Sequence, residues 1–472
     1  MSRAVRPARA RVPRRPVLPL LAALLLAACA QPRPPMADPP VLPQRYASGP
    51  DAVSPVLEAD WWKRLGEPEL DGLVDRALAA NLDLRLAAAR VEEASVAVSL
   101  ARAAQWPSLD FGAGVTHARA STLGAQPVVD ATSVSHRAAL STSFEIDLWG
   151  RLRDADRAAQ QQLLATQHAR DTLRLALVGA LVQAWLGVRT LDLQRAALEG
   201  QKQLRRESLA LVRRRFAGGI ASRLEVAQAE GTLSALASQA LELERQRALL
   251  VHQLGQLAGD PGLGLPVDTR PLPAPLIVPA GLPSELLLRR PDLQQAEATM
   301  RAAFAQFEVT KKSAWPTLAL TASLGAQSAD LLDLVKAGAR IWSIGPQLLL
   351  SVFDAGRNEA RSDEARSRAE QAVIGWQRAA QIAFREVSDA LVSVDRLAAQ
   401  EADLGRQREA AAEAQRIATR RHAAGYSGYL EVLDAQRSLI DTELASLRLR
   451  QSRLDAGVAL MKALGGGWQA RR

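Results

Sequence analysis

The chain has 472 residues, of which 48% are apolar and 23% are charged, a composition typical of a folded protein that excludes disorder as the main state. The formal net charge of +9 suggests an acidic partner, but six of the arginines lie before residue 16. The remaining Arg and Glu residues interleave along helical stretches, as on solvated helix faces, so nucleic-acid binding is not expected.

The first 28 residues have the features of a secretory signal. The N-terminal arginines are followed by an apolar run, residues 17–28, that is too short to span a bilayer as a helix. The run ends in Leu26-Ala27-Ala28-Cys29, which resembles a bacterial lipobox and implies lipid attachment to Cys29, the only cysteine of the chain. Residues 29–60 are rich in proline, which favours extended conformations. We predict a signal peptide over residues 1–28 and a lipid-anchored tether over residues 29–60.

The chain repeats itself at a spacing of about 207 residues, which is its most informative feature. The segment Trp106-Pro107-Ser108-Leu109 matches Trp315-Pro316-Thr317-Leu318, and farther along Leu224-Glu225-Val226 matches Leu430-Glu431-Val432. The offset is three residues smaller at the second match, so a loop between the two is shorter in the second half. The predicted organisation is a first repeat at 61–260, a proline-rich linker at 261–283, a second repeat at 284–465 and a tail at 466–472.

Each repeat is expected to contain a strand hairpin and a long helical hairpin. Helix gives way to strand at the Trp-Pro steps, because proline disfavours a preceding helix, and alternating apolar and polar residues follow. The absence of proline from Arg151 to Asp260 and after Ala355 favours very long helices, and the 4-3 spacing of Leu177, Leu181 and Ala184 predicts coiled-coil-like packing. The predicted strands cover about 108–120, 133–149, 317–328 and 340–354, and the predicted helical hairpins cover 151–258 and 357–464.

Alternation alone fits a soluble β-sandwich as well as a membrane sheet. The strands are long enough for the roughly 9 to 11 residues that a tilted membrane strand needs. Four strands cannot close a barrel, and open edges cannot face lipid. Oligomerisation is therefore required if the strands lie in a membrane.

The doubled helix–strand–helix plan, the lipobox and the segment Leu287-Leu288-Arg289-Arg290-Pro291-Asp292-Leu293 resemble the lipoprotein branch of the TolC-type outer membrane factors, the OprM and NodT-like channels. The resemblance covers almost the whole chain after residue 28. It implies a mainly α fold with membrane β-strands, in which a homotrimer forms a 12-stranded β-barrel continuous with a 12-helix α-barrel tunnel. It also implies a lipid-anchored protein of the outer membrane with a long periplasmic extension.

The same resemblance implies a passive duct of a tripartite efflux system that exports small molecules such as drugs or metals. Its partners would be outer-membrane lipid, a periplasmic adaptor and an inner-membrane pump of the resistance-nodulation-division type. Two alternatives remain: a duct of this type that serves protein secretion, and a periplasmic coiled-coil lipoprotein without a pore. The second alternative does not explain four alternating strands at matched positions.

No catalytic, metal or cofactor site is expected, so the protein is not predicted to be an enzyme. No histidine has a second histidine at metal-ligand spacing, and no Gly-rich phosphate loop follows a strand. The five histidines lie far apart, at His117, His136, His168, His252 and His422.

The resemblance adds two candidate sites near the turns of the helical hairpins. The turns at Gly219-Ile220 and Gly425-Tyr426 match the adaptor-contacting tips of the family, although glycine as a helix C-cap explains these glycines equally well. Glu431 and Asp434 match paired aspartates that line the closed periplasmic mouth, and acids at a helix start also stabilise the helix dipole. His422 and Ser427 occupy positions where the family has a latching tyrosine and arginine.

Overall fold

The computed structural model describes residues 43, 46, 58–121, 132–276 and 289–467. The predicted signal peptide, Cys29, most of the tether and part of the linker lie outside the described residues. The described part forms two compact units, one built from the strands and one from the helices.

The helical unit contains two helical hairpins, in which a helix of 67 residues is followed by one of 35 or 36. The first hairpin begins at Arg151, within a stretch that has no proline from residue 128 to residue 260, and ends beside Gly259, whose positive φ of 71° terminates the helix. The α-helices of the helical unit are α1 (Pro68–Ala80), α2 (Leu82–Ala103), α3 (Arg151–Ala217), α4 (Arg223–Ala258), α5 (Pro291–Lys312), α6 (Arg357–Ala423) and α7 (Tyr429–Ala463).

The core of the helical unit lies along the predicted 4-3 seam. Leu177, Leu181, Ala184 and Val188 of α3 are buried in one apolar cluster together with residues of α6. The corresponding α6 residues in that cluster are Ala383, Val387 and Ala390. Part of α3 is apolar enough to cross a membrane, but 56% of that stretch is buried within the helical unit, as in the core helix of a soluble domain.

The strand unit is a four-stranded antiparallel sheet in the order β1-β2-β3-β4. Its strands are β1 (Ser108–Arg119), β2 (Thr132–Ile146), β3 (Thr317–Ser328) and β4 (Arg340–Leu349). With the paired repeats, this confirms the expected fold class of long helices and four strands in duplicated order. β2 and β4 end before the expected positions 149 and 354, because their pairing with β3 stops at the start of that strand, where Ile146 pairs with Leu318 and Leu349 pairs with Thr317.

Each repeat begins its pair of strands at a tryptophan–proline step, and Trp149, three residues after β2, contacts the second of these steps. The Trp149 indole Nε1 donates to the Pro316 carbonyl at 2.7 Å. The Trp149 ring also meets Trp315 edge to face, with ring centroids 5.2 Å apart. At the same end of the sheet, Arg151 forms a two-bond ion pair with Glu145. These contacts close the helix-connected end of the sheet.

The sheet has two chemically different faces. On one face, directly paired residues form apolar rows across the strands. The row with the largest side chains is Phe111–Leu140–Leu324–Trp342. These side chains are exposed, Trp342 to 75% and Phe111 to 70%. The opposite face carries mostly serine, threonine, glycine and alanine, and it also carries Asp110 and Glu145. A face of large exposed apolar side chains requires an apolar environment.

Candidate functional site

The turns of the two helical hairpins have the same backbone geometry. Gly219 has φ of 73° and Gly425 has φ of 80°, a left-handed conformation that glycine adopts without a Cβ clash. The Ile220 amide donates to the Arg215 carbonyl at 2.8 Å, and the Tyr426 amide donates to the Arg421 carbonyl at 2.9 Å. Helix termination alone therefore explains both glycines.

The residues after these glycines are the most exposed large apolar side chains of the turns. Ile220 is 74% exposed and Tyr426 is 80% exposed. Leu224 and Leu430, at matching positions of the repeats, are each 65% exposed. The turns thus carry two exposed apolar side chains beside the glycines, Ile220 and Tyr426, here called the apolar tips. Exposed apolar side chains are typical of a protein-docking surface.

His422 joins the two turns within one chain. Its Nδ1 lies 3.0 Å from the Ser427 carbonyl oxygen, and its Nε2 lies 3.2 Å from Nη1 of Arg215, on the other hairpin. A carbonyl only accepts and a guanidinium only donates, so both contacts are hydrogen bonds when Nδ1 carries the proton and Nε2 accepts. The ring also lies 5.6 Å from that of Tyr429.

An apolar cluster, here called the tip core, packs behind this histidine. Tyr429 belongs to it, and the Tyr429 hydroxyl is 2.7 Å from the Ser208 hydroxyl on α3. Burial lowers the pKa of the nearby Arg205 guanidinium, and the Tyr429 hydroxyl acts in the opposite direction. The tip core draws on all four helices of the hairpins: Leu209, Val212, Val226, Ala229, Ala418, Tyr429, Val432 and Leu433.

The two candidate gate acids differ in their surroundings. Glu431 and Asp434 are both exposed on α7, while the intervening Val432 and Leu433 are buried. Glu431 Oε1 lies 3.4 Å from Nε of Arg421, at the end of α6. Among the described residues, Asp434 forms no ion pair. Arg421, four residues before Gly425, is a charged neighbour of Glu431 that sequence reasoning missed.

The Arg-Pro-Asp motif at the start of α5 has a structural role. The buried Arg290 binds Asp292 at 2.7 Å, Glu386 at 2.8 Å and the Ala463 carbonyl at 3.0 Å. Burial lowers the pKa of Arg290, but the ion pairs with Asp292 and Glu386 outweigh this, and the net pKa is raised. The motif therefore fastens α5 to α6 and to the end of α7.

A cleft of about 690 Å³ lies beside Arg290 in the helical unit. Asp455 lines it, and burial raises the pKa of this carboxyl to about 6. No group of three or more His, Cys, Asp or Glu residues that could hold a metal ion occurs in the part of the chain that the structure describes.

Comparison with known proteins gives a consistent match over both repeats. The family model described as outer membrane efflux protein matches residues 73–260 and 282–466, and these two segments correspond to the two repeats. The chain is 35% identical over 465 residues to the pyoverdine export outer membrane protein OpmQ of Pseudomonas aeruginosa, with 96% of each chain covered. It is 30% identical to the probable outer membrane lipoprotein SilC of Salmonella typhimurium, covering 94% of this chain and 97% of that one.

Solved structures agree on the fold. The CmeC outer membrane channel of Campylobacter jejuni superposes with a TM-score of 0.88 at 24% identity, covering 93% of this chain and 96% of that one. At this identity, the similarity shows the fold alone.

Proposed function

The chain belongs to the outer membrane efflux protein family, and from this premise we propose that it is the outer-membrane duct of a tripartite efflux system. Members of the family are channels rather than enzymes, so the energy for transport would come from a pump. The cargo would be small molecules that the pump delivers. The family favours efflux over the alternative of protein secretion, and the four strands argue against a coiled-coil lipoprotein without a pore.

The two-faced sheet is the observation that carries this proposal. Its exposed apolar face suits lipid, and its opposite face of small polar residues suits a water-filled lumen. A soluble sandwich would cover the apolar face with a second sheet. Among the described residues, no second sheet exists.

The edges of the sheet support a homotrimer. β1 and β4 have no neighbouring strand on their outer sides among the described residues. Unpaired backbone groups cannot face hydrocarbon, so the edges need partners of the same kind. Three copies would pool twelve strands, and joining β4 of one copy to β1 of the next would close the barrel.

Glu431 and Asp434 are proposed to line the periplasmic mouth of this trimer. Threefold symmetry would place six carboxylates around one constriction, which attracts cations and repels anions. The Arg421 contact partly neutralises Glu431, so Asp434 would supply most of the uncompensated charge. Glu431→Ala with Asp434→Ala should lower cation selectivity in planar bilayers, whereas Arg421→Gln should raise it. Equal selectivity in the parent and both variants would reject this assignment.

The apolar tips are proposed to contact a periplasmic adaptor. Ile220 and Tyr426 offer exposed apolar side chains beside the glycine turns at Gly219 and Gly425. Replacing either glycine would also strain the turn, because its φ is positive. Ile220→Asp with Tyr426→Asp is therefore the cleaner test and should weaken adaptor binding while leaving trimers intact. Unchanged affinity for the adaptor would reject the contact.

The remaining partners follow from the same proposal. An inner-membrane pump, of the resistance-nodulation-division type, would deliver cargo through the adaptor. Lipid on Cys29 would anchor the chain to the outer membrane. The relative SilC, which is named a probable lipoprotein, supports this anchoring.

The function as a whole is tested by reconstitution. The purified full-length protein should migrate as a trimer in native mass spectrometry and produce discrete conductance steps in planar bilayers. A monomer that leaves the bilayer without conductance would refute the proposed duct.

A further inference from the structure

A basic rim borders the apolar face of the sheet at its hairpin end, the end where β1 connects to β2 and β3 to β4. Arg119 is the last residue of β1 and Arg340 is the first residue of β4. Register places both on the apolar face, because Arg340 pairs with Ala326 one row beyond Leu324–Trp342, and Arg119 lies an even number of residues from Phe111. The rim is defined as Arg119, Arg340 and two histidines of the same face, His117 and His136.

The apolar face carries no acid to balance this rim. The only acids of the four strands, Asp110 and Glu145, lie on the opposite face. Arg119 and Arg340 are both exposed, and within the described residues neither guanidinium forms an ion pair or a hydrogen bond. As far as the described residues are concerned, the positive charge of these two arginines is therefore available to an external anion.

The ends of the sheet are oblique in a way that brings both arginines to one border. β1 continues six residues past the level of Arg340, and at the other end β4 continues four residues past the level of Ser108. At about 3.4 Å per residue, this is an offset of roughly 14 to 20 Å across about 14 Å of sheet width. Strands that cross a membrane at a tilt of about 35–45° need such an offset to begin and end at the same depth. The first residue of β4 and the last residue of β1 thus share the border farthest along the chain from the helices.

We propose that this basic rim binds phosphate groups of the lipid in the outer leaflet, a phosphorylated glycolipid of the lipid A type. The inference rests on the proposed function, since it requires the sheet to lie in the outer membrane. Arginine binds phosphate through paired N–H donors, and its aliphatic part covers apolar surface while the charged end reaches the headgroup. Trp342, one row below Arg340, has the amphipathic ring that favours the membrane interface. The adjoining apolar face would hold the acyl chains, which selects a lipid over free phosphate.

The test compares a change that removes two positive charges per chain from the apolar face with a change that removes one from the opposite face, at the same end of the sheet. Arg119→Gln with Arg340→Gln neutralises the rim. Arg137→Gln is the matched control, because Arg137 is exposed in β2 next to His136 but points to the opposite face. Full-length trimers in nanodiscs would be titrated with diphosphoryl lipid A, and bound lipid would be counted by native mass spectrometry. Conductance of the same preparations reports whether the barrel has inserted.

The parent and Arg137→Gln should retain lipid A in preference to phosphatidylethanolamine, and the rim variant should lose about tenfold in that preference, the equivalent of about 1.4 kcal/mol. Millimolar inorganic phosphate should not displace the lipid from the parent. Conducting trimers whose rim variant retains lipid A like the parent, or whose control loses it equally, would overturn the inference alone. Absence of insertion and conductance in the parent would instead refute the proposed function on which the inference depends.

Discussion

His422→Ala is expected to separate the two helical turns of each chain. The change removes the hydrogen bond to the Ser427 carbonyl and the bond from the Arg215 guanidinium, at 3.0 and 3.2 Å. A neutral hydrogen bond contributes about 1 kcal/mol and one to a charged group about 1.5–3 kcal/mol, values that partial exposure reduces. The joined turns should therefore lose about 2 kcal/mol of stability, which shifts their equilibrium with the separated turns by roughly 30-fold.

Channel opening is the measurement for this prediction. If the joined turns hold the proposed periplasmic mouth closed, the open probability of reconstituted trimers should rise by a comparable factor, provided that the parent channel is mostly closed. His422→Asn should have an intermediate effect, since its amide nitrogen can still donate to the Ser427 carbonyl but does not reach Arg215. His252→Ala is the control, because His252 is an exposed histidine on α4. An open probability that changes less than threefold, or equally in the control, would refute the role of the His422 contacts.

Three further predictions concern the anchor and the helical unit. Cys29→Ser should abolish palmitate labelling without affecting trimers or conductance, and parental labelling would contradict the lipobox assignment. Asp192→Asn should lower the free energy of unfolding by about 3 kcal/mol, because the fully buried Asp192 carboxylate is the counter-charge of Arg247 at 2.5 Å. The control Glu244→Gln, at an exposed position, should lower it by less than about 1 kcal/mol. Equal shifts of the two variants in thermal unfolding in detergent would reject this difference. Burial raises the pKa of Asp455 from 3.8 to about 6, so between these pH values the folded state holds a proton that the unfolded state releases. The free energy of unfolding should therefore fall by roughly 1–2 kcal/mol as pH rises from about 4 to about 6, after allowance for partial exposure. Asp455→Asn should remove that part of the slope in thermal unfolding measured between pH 4 and 7, and an unchanged slope would contradict it.

Local patterns in the sequence predicted most of the architecture. The proline-free stretch after Gly150 predicted a very long helix, and α3 spans Arg151–Ala217. The alternation after Trp315-Pro316 predicted a strand, and β3 spans Thr317–Ser328. These features follow from backbone chemistry within a few residues: proline interrupts a helix, and side chains alternate along a strand. The ends of β2 and β4 were harder to predict, because they depend on where the pairing with β3 stops.

The candidate gate illustrates where such reasoning stopped. The spacing of Glu431 and Asp434 placed both acids on one exposed helix face, and the structure agrees with that placement. Residue spacing does not indicate which side chains from other helices lie nearby, so the Arg421 partner of Glu431 was missed. Which of the two carboxylates keeps its full charge depends on how the end of α6 packs beside the start of α7.

The sequence by itself determined the duplicated plan, the long helices, the two-faced strands and the glycine turns, because each depends on the conformational preferences of neighbouring residues. Only the tertiary structure decided which charged and polar groups meet. Arg290 contacts Glu386, and Arg215 contacts His422, across 96 and 207 positions of the chain. No local preference encodes such pairs, because they form only when helices distant in sequence pack together and exclude water from the groups between them.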